Sequence, residues 1–221
     1  EVQGSAQATL TVSRETSVAK ELAISAEKSM VEIPTDEKTE TATFTAAFRD
    51  QYGDKMTAAP SVAWSIADAV EGVSISNGVV TVTKDAKNSI TDSKEFTITA
   101  TSGTLSRTST LTVKRAEAQV AKIELGTVND MTIPADGANA AEATVTATVK
   151  DQYDTQISNP TVAWSITPAD KGVSIDTTGK ITVTNEAKEY IKDITGQQFT
   201  VTAKSDDVTE TATVTVKRAA S

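Results

Sequence analysis

Gly72-Val73-Ser74-Ile75-Ser76-Asn77-Gly78-Val79-Val80-Thr81-Val82 holds two short β-branched runs joined by Asn-Gly. Asn-Gly takes the positive φ angles of a two-residue turn, so the stretch predicts a β-hairpin. About 100 residues further on, Gly172-Val173-Ser174-Ile175 repeats the first run, and the longer Asp176-Thr177-Thr178-Gly179 stands in for the turn.

The repetition extends in both directions. Arg49-Asp50-Gln51-Tyr52 matches Lys150-Asp151-Gln152-Tyr153, and Val62-Ala63-Trp64-Ser65-Ile66 matches Val162-Ala163-Trp164-Ser165-Ile166. Phe96-Thr97-Ile98-Thr99-Ala100 matches Phe199-Thr200-Val201-Thr202-Ala203, and Leu111-Thr112-Val113-Lys114-Arg115-Ala116 matches Val214-Thr215-Val216-Lys217-Arg218-Ala219. Matches that run end to end mark a duplicated domain. A third echo lies at the start, where Thr9-Leu10-Thr11-Val12-Ser13-Arg14 matches Thr110-Leu111-Thr112-Val113-Lys114-Arg115, and Val18-Ala19-Lys20 matches Val120-Ala121-Lys122. Residues 1–17 therefore read as the last strand of a preceding module plus linker, 18–116 as the first domain, and 117–221 as linker and second domain. A last strand without its own sheet is expected to be poorly ordered or to pair opportunistically.

Within each repeat the apolar residues alternate. Phe44/Ala46/Phe48, Val62/Trp64/Ile66 and Phe96/Ile98/Ala100 each share one strand face, as do Val145/Ala147/Val149 and Phe199/Val201/Ala203. Thr, 38 of the 221 residues, fills many outward positions, where a β-branched polar side chain suits a solvated strand. Pro34 and Pro134 interrupt the first strand region, which fits an edge strand. Lys84–Ile90 and Asn185–Ile191 break the alternation and read as short helical crossovers, with Ala187, Ile191 and Ile194 at helical spacing. About seven strands per repeat, with a Trp on the third, predict an all-β fold of two tandem immunoglobulin-like sandwiches. Trp64 and Trp164, with Phe44, Phe48, Phe96 and Phe199, are the expected structural core, and either Trp→Ala is expected to cost about 3–5 kcal/mol.

The strings D-Q-Y-G-D, V-A-W-S-I, G-V-S-I-S-N-G-V-V-T-V and F-T-I-T-A-T-S-G resemble the bacterial Ig-like (BIG) family, closest to its group-2-like modules. The resemblance covers nearly all of residues 18–219. It implies an extracellular, bacterial cell-surface setting of the kind found in Gram-positive surface-layer proteins, adhesins and large secreted polysaccharide-degrading enzymes. One departure stands out: Asp50-Gln51-Tyr52-Gly53-Asp54 becomes Asp151-Gln152-Tyr153-Asp154 without the Gly, so the second turn is expected to differ in shape.

Composition excludes whole classes of chemistry. There is no Cys, hence no disulfide or thiol nucleophile, and no His, the commonest general base and transition-metal ligand. A net charge of −9 opposes nucleic acid as a partner. No apolar run is long enough to span a bilayer, so membrane insertion is not expected. The opening EVQGSAQATL has no basic-then-apolar pattern of a signal peptide. No catalytic constellation stands out, and the chain reads as a non-enzyme.

Asp50, Asp54, Asp151 and Asp154 are the most site-like carboxylates. They could supply oxygens to a calcium ion at the end of each module, or cap backbone amides in a tight turn. No cofactor other than calcium is expected. Tyr52, Tyr153 and Tyr190 could form a carbohydrate platform, but the repeat equivalence of the first two points to locking the turn onto the sandwich end. The junction Lys114–Lys122 has no Gly, Pro or Ser run, so it does not read as a floppy tether. Strands of up to ten or so residues make each sandwich roughly 35–40 Å long and a stacked pair a rod of roughly 80 Å. The leading expectation is a spacer of an exported S-layer-like protein, with neighbouring modules of the same chain or lattice as partners. The alternatives are an adhesion or carbohydrate-binding module, with cell-wall or other polysaccharide as partner, and an accessory region of a secreted glycoside hydrolase.

Overall fold

A computed structural model describes residues 7–169, 171–192 and 194–219. The chain divides into two units, Glu1–Ala116 and Glu117–Ser221.

The first unit carries eight strands: β1 (Ala19–Ala26), β2 (Met30–Glu32), β3 (Glu40–Asp50), β4 (Ala63–Ile66), β5 (Val73–Ser76), β6 (Val79–Val82), β7 (Ser93–Ser102) and β8 (Leu105–Lys114). They form two four-stranded sheets, ordered β1-β3-β6-β5 and β2-β8-β7-β4. This is the strand order of an immunoglobulin-like sandwich. The quoted hairpin is present as β5-β6, with Asn77 at φ 48° and Gly78 at φ 79°. Only β2 runs parallel to its neighbour, pairing with β8 at the sheet edge, and Pro34 follows it there. That is the position a residue without an amide proton tolerates.

The strand β3 serves two partners in succession. Glu40–Thr43 pair with β6, whereas Phe44–Asp50 pair with β1. The crossing point is Phe44, whose amide donates to the Gly78 carbonyl at 2.7 Å.

The second unit repeats this plan with β9 (Val120–Leu125), β10 (Met131–Thr132), β11 (Ala141–Thr144), β12 (Ala147–Asp151), β13 (Ala163–Thr167), β14 (Val173–Ile175), β15 (Lys180–Val183), β16 (Gln197–Ser205) and β17 (Val208–Lys217). Here the long strand is broken: β11 pairs with β15 and β12 with β9. Val145 sits in the break and donates to the Gly179 carbonyl at 2.9 Å, as Phe44 does to Gly78. Among the described residues the count is thus eight and nine strands against about seven expected, because the short β2 and β10 and the split of the long strand show no alternation.

Both crossovers are single 3-10 turns, Lys84–Asn88 and Asn185–Glu189, joining a strand of one sheet to a strand of the other. Ala86 and Ala187 point into the core at 0% and 1% exposure. Gly72 and Gly172 make this approach possible. A Cβ on either would lie 2.2 or 2.4 Å from the amide nitrogen of that alanine, and both have positive φ. The expected helical register does not extend to Ile194, which is 63% exposed, because the 3-10 turn ends at Glu189.

The fully buried bulk is phenylalanine, with Phe44, Phe48, Phe96 and Phe199 all at 2% exposure or less. Trp64 and Trp164 are only partly buried, less than the phenylalanines; Trp64 packs against the cluster of Leu22, Phe48 and Ala100, and Trp164 against both core clusters of the second unit. Each ring lies against the glycine of a hairpin: a Cβ on Gly78 or Gly179 would sit 3.0 Å from the ring of Trp64 or Trp164.

Candidate functional site

Both units build the Asp-Gln-Tyr turn closing β3 in the first unit and β12 in the second from chemically distinctive side chains. An aspartate placed two residues before an amide forms an Asx turn, satisfying backbone donors that the sheet leaves unpaired. The Asp50 Oδ1 accepts from the amides of Tyr52 and Asp54 at 2.9 and 3.0 Å, and its Oδ2 from the Ser17 hydroxyl at 2.8 Å. The Asp151 Oδ1 accepts from the amides of Tyr153 and Thr155 at 2.9 and 2.8 Å. Both aspartates are buried. Burial pushes the Asp50 carboxyl upward. The Ser17 hydroxyl, the two amides and the nearby Arg14 charge outweigh it, so the group lies below the ordinary carboxylate range.

The two turns have the same shape, contrary to the expectation drawn from the missing glycine. Gly53 has φ 83°, and Asp154 occupies its place with φ 65°, a conformation aspartate tolerates better than most residues. The carbonyl of Asp50 accepts from Gly53 as that of Asp151 does from Asp154, each at 3.0 Å. The structural counterpart of Asp54 is therefore Thr155, and the pair Asp50/Asp54 is not repeated as Asp151/Asp154. Asp54 binds the Arg14 guanidinium at 2.7 Å, and Asp154 lies 3.5 Å from Lys150. These carboxylates face amides and cations, and among the described residues no group of three or more acidic side chains is placed to hold a metal ion. As arranged, the residues do not fit a calcium cage, which needs six to eight oxygens.

The tyrosines differ. Tyr153 is 4% exposed, whereas Tyr52 is 46% exposed with the Arg14 guanidinium 4.1 Å from its ring centroid. Tyr190, 47% exposed, is at the end of the second 3-10 turn and shares no site with either. A shallow pocket of about 420 Å³ beside the first turn is lined by Arg14, Ser17, Asp50, Asp54 and Lys55 among others.

Two residue types escaped the sequence reading. Gln51 and Gln152, inside the repeated turn string, bond to the chain entering each unit. Arg115 and Arg218, in the repeated Lys-Arg-Ala string, each donate through Nε and a terminal nitrogen to two carbonyls at the end of the 3-10 crossover. Identity between the copies was the available signal for both. The entering segment itself has no regular structure over residues 7–18, and Leu10 and Val12 are 85% and 84% exposed. The register of the units also moves one match: Ala19 pairs with Asp50 as Val120 pairs with Asp151, so Val18 corresponds to Gln119, one place from the sequence match.

No protein-family model matches the chain, and no curated protein sequence matches it. Solved structures do match. Drosophila N-cadherin extracellular domains 1–4 align over 86% of this chain and 47% of theirs, with a TM-score of 0.60 and 20% identity. Human protocadherin-24 extracellular domains 1–2 align over 90% of this chain and 99% of theirs, with a TM-score of 0.58 and 12% identity. Domains 1–6 of the surface-layer protein SbsC align over 94% of this chain and 29% of theirs, with 19% identity and a TM-score of only 0.39. The chain spans about half the length of the N-cadherin fragment. At these identities the likeness is one of fold: an all-β, cadherin-like and immunoglobulin-like sandwich. Among the described residues no helix is long and apolar enough to cross a membrane.

Proposed function

We propose that the chain is a pair of non-catalytic structural modules of an exported bacterial cell-surface protein, S-layer-like in role, which together form a semi-rigid spacer. The observation that carries this reading is duplication down to side-chain detail. The Asx turn, the glutamine bonds and the arginine bonds recur in both units, whereas neither unit has a His or Cys to use in catalysis. The repeated strings support membership of the bacterial Ig-like family, with domains at 18–116 and 117–221. The third echo, and the exposure of Leu10 and Val12 where Leu111 and Val113 are fully buried, support residues 1–17 as the last strand and linker of a preceding module. Neighbouring modules of the same chain or lattice are the partners this implies.

Adhesion or polysaccharide binding has the exposed Tyr52 and Tyr190 rings in its support, but the two share no site, and Arg14 already covers one face of Tyr52. Calcium at Asp50, Asp54, Asp151 and Asp154 has less support, since their oxygens are directed to amides and cations.

Two measurements test the reading. Small-angle scattering of the 221-residue chain is expected to give the profile of an extended, weakly bending pair; a freely jointed profile removes the spacer claim. A pull-down against cell-wall sacculi and insoluble polysaccharides, with calcium and with chelator, is expected to show no saturable retention. Retention would favour the binding alternative, and retention abolished by chelator would assign the four aspartates to a metal.

A further inference from the structure

The side-chain amide of Gln51 meets the entering chain twice. Its Oε1 accepts from the Val18 amide at 2.7 Å, and its Nε2 donates to the Thr16 carbonyl at 3.0 Å. In the second unit the Gln152 Oε1 accepts from the Gln119 amide at 2.8 Å, and its Nε2 donates to the Glu117 carbonyl at 2.7 Å. The carbonyl and amide engaged belong to residues two apart, so one side-chain amide, with its N–H and C=O on the same side, takes the place that the N–H and C=O of one residue on a parallel neighbouring strand would take. The orientation is fixed by chemistry. A flipped amide would set its NH2 against an N–H and its oxygen against a carbonyl.

The gripping residue is the same in both units, but the gripped residues are not. Thr16 and Val18 have nothing in common with Glu117 and Gln119 beyond their main chain, and the glutamines bond only main-chain atoms; the side-chain bonds of Ser17 to Asp50 and Arg14 to Asp54 are additional to the grip in the first unit. Strand pairing begins at the next residue, Ala19 opposite Asp50 and Val120 opposite Asp151. The Asp50 and Asp151 carboxylates hold the turn that presents each glutamine.

We infer that Gln51 and Gln152 form a peptide-backbone receptor, a site that seizes the main chain entering each module whatever its side chains. The receptor prolongs the first strand's ladder past the sheet edge and fixes the direction of the incoming chain. It lets one module follow linkers of unrelated sequence without loss of register. The grip stands on the hydrogen bonds alone; its contribution to a stiff array rests on the spacer reading above.

Amide hydrogen exchange by NMR on the full chain tests it, comparing wild type with Gln152→Ala, Gln152→Glu and the linker double substitution Glu117→Ser with Gln119→Thr. The Gln119 amide is expected to be protected about tenfold or more in wild type. Gln152→Ala should release it, while Glu124 and Thr148, a hydrogen-bonded pair of the adjoining strands, remain protected and so report an intact fold. Gln152→Glu should also weaken the grip, because a carboxylate cannot donate to the Glu117 carbonyl. The linker double substitution should leave residue 119 protected. An unprotected Gln119 amide in wild type, unchanged protection in Gln152→Ala, or loss of protection in the linker double substitution would each overturn the receptor. Scattering on wild type is independent: a freely jointed pair with a protected Gln119 amide removes the spacer and keeps the receptor.

Discussion

Arg115 donates through Nε to the carbonyl of Ile90 at 2.9 Å, and 103 residues later Arg218 donates through Nε to the carbonyl of Ile191 at the same distance. The second prongs reach Lys87 and Lys188, both at 2.7 Å. A 3-10 turn leaves its last carbonyls without partners, and the planar guanidinium satisfies two of them at once. The last strand of each unit is thereby fastened to the crossover that links the two sheets. Arg218→Met is expected to destabilise the second unit by about 1.5–3 kcal/mol, the range for hydrogen bonds from a charged donor. Arg218→Lys should recover less than half of that, since an ammonium has no fork. Urea unfolding monitored on the second unit's amide resonances measures both.

The two crossovers differ at their first turn. In the first, the amide of Asp85 donates to the Thr83 hydroxyl at 3.4 Å, and that hydroxyl approaches the Asp85 carboxylate at the same distance. In the second, Glu186 stands in the place of Asp85, Thr184 makes no side-chain cap bond, and its Oγ1 is buried without a partner. The longer glutamate does not turn back to the threonine. Glu186→Asp is therefore expected to stabilise the second unit by about 0.5–1 kcal/mol, within the range for a recovered cap. The converse Asp85→Glu should destabilise the first unit by a similar amount. An increase in stability for Asp85→Glu would contradict the explanation.

Core packing was legible in outline and misread in emphasis. Alternation placed Phe44 and Phe48 on the apolar face of one strand and Phe96 on that of another, and all three are buried in the structure. It could not tell that Trp64 is only partly buried, with its ring against Gly78, which belongs to another strand's turn. Phe96→Ala is thus expected to cost about 3–5 kcal/mol, and Trp64→Ala clearly less. Equilibrium unfolding of the two variants checks the order; an equal or larger loss at Trp64 would show that partial burial does not lower its weight.

The site was legible at its aspartates and not at its glutamines. Asx chemistry is local in sequence, so Asp50 two residues before Tyr52 announces itself. The partners of Gln51 lie 33 and 35 residues away, and only the folded sheet brings Thr16 and Val18 beside it. The equivalence of Asp54 and Asp154 failed for a related reason. Counting acidic residues ignored that Asp154 takes the positive-φ place of Gly53, which moves the true counterpart to Thr155. The strands that exceed the expected seven or so include β2 and β10, of three and two residues, too short to show alternation.

The Asp50 carboxylate links the first turn to pH. Burial alone would favour the neutral acid, but the Ser17 hydroxyl, the Tyr52 and Asp54 amides and Arg14 favour the anion more strongly, and the folded group titrates below its unfolded counterpart. A depressed carboxyl contributes stability that is complete above the unfolded value of about 3.9 and disappears as pH falls through the lower folded value. The first unit should therefore hold its stability from neutral pH down to about pH 5 and lose this contribution below about pH 4. Asp50→Asn retains one acceptor for the amides but has no charge to lose. Its stability should be lower than wild type at neutral pH and converge with it in acid. Urea unfolding of both proteins across that range, with the carboxyl carbon shift of Asp50 followed by NMR, tests the sign. Parallel stability curves, or a carboxyl midpoint above the ordinary range, would show that burial and not hydrogen bonding governs the turn.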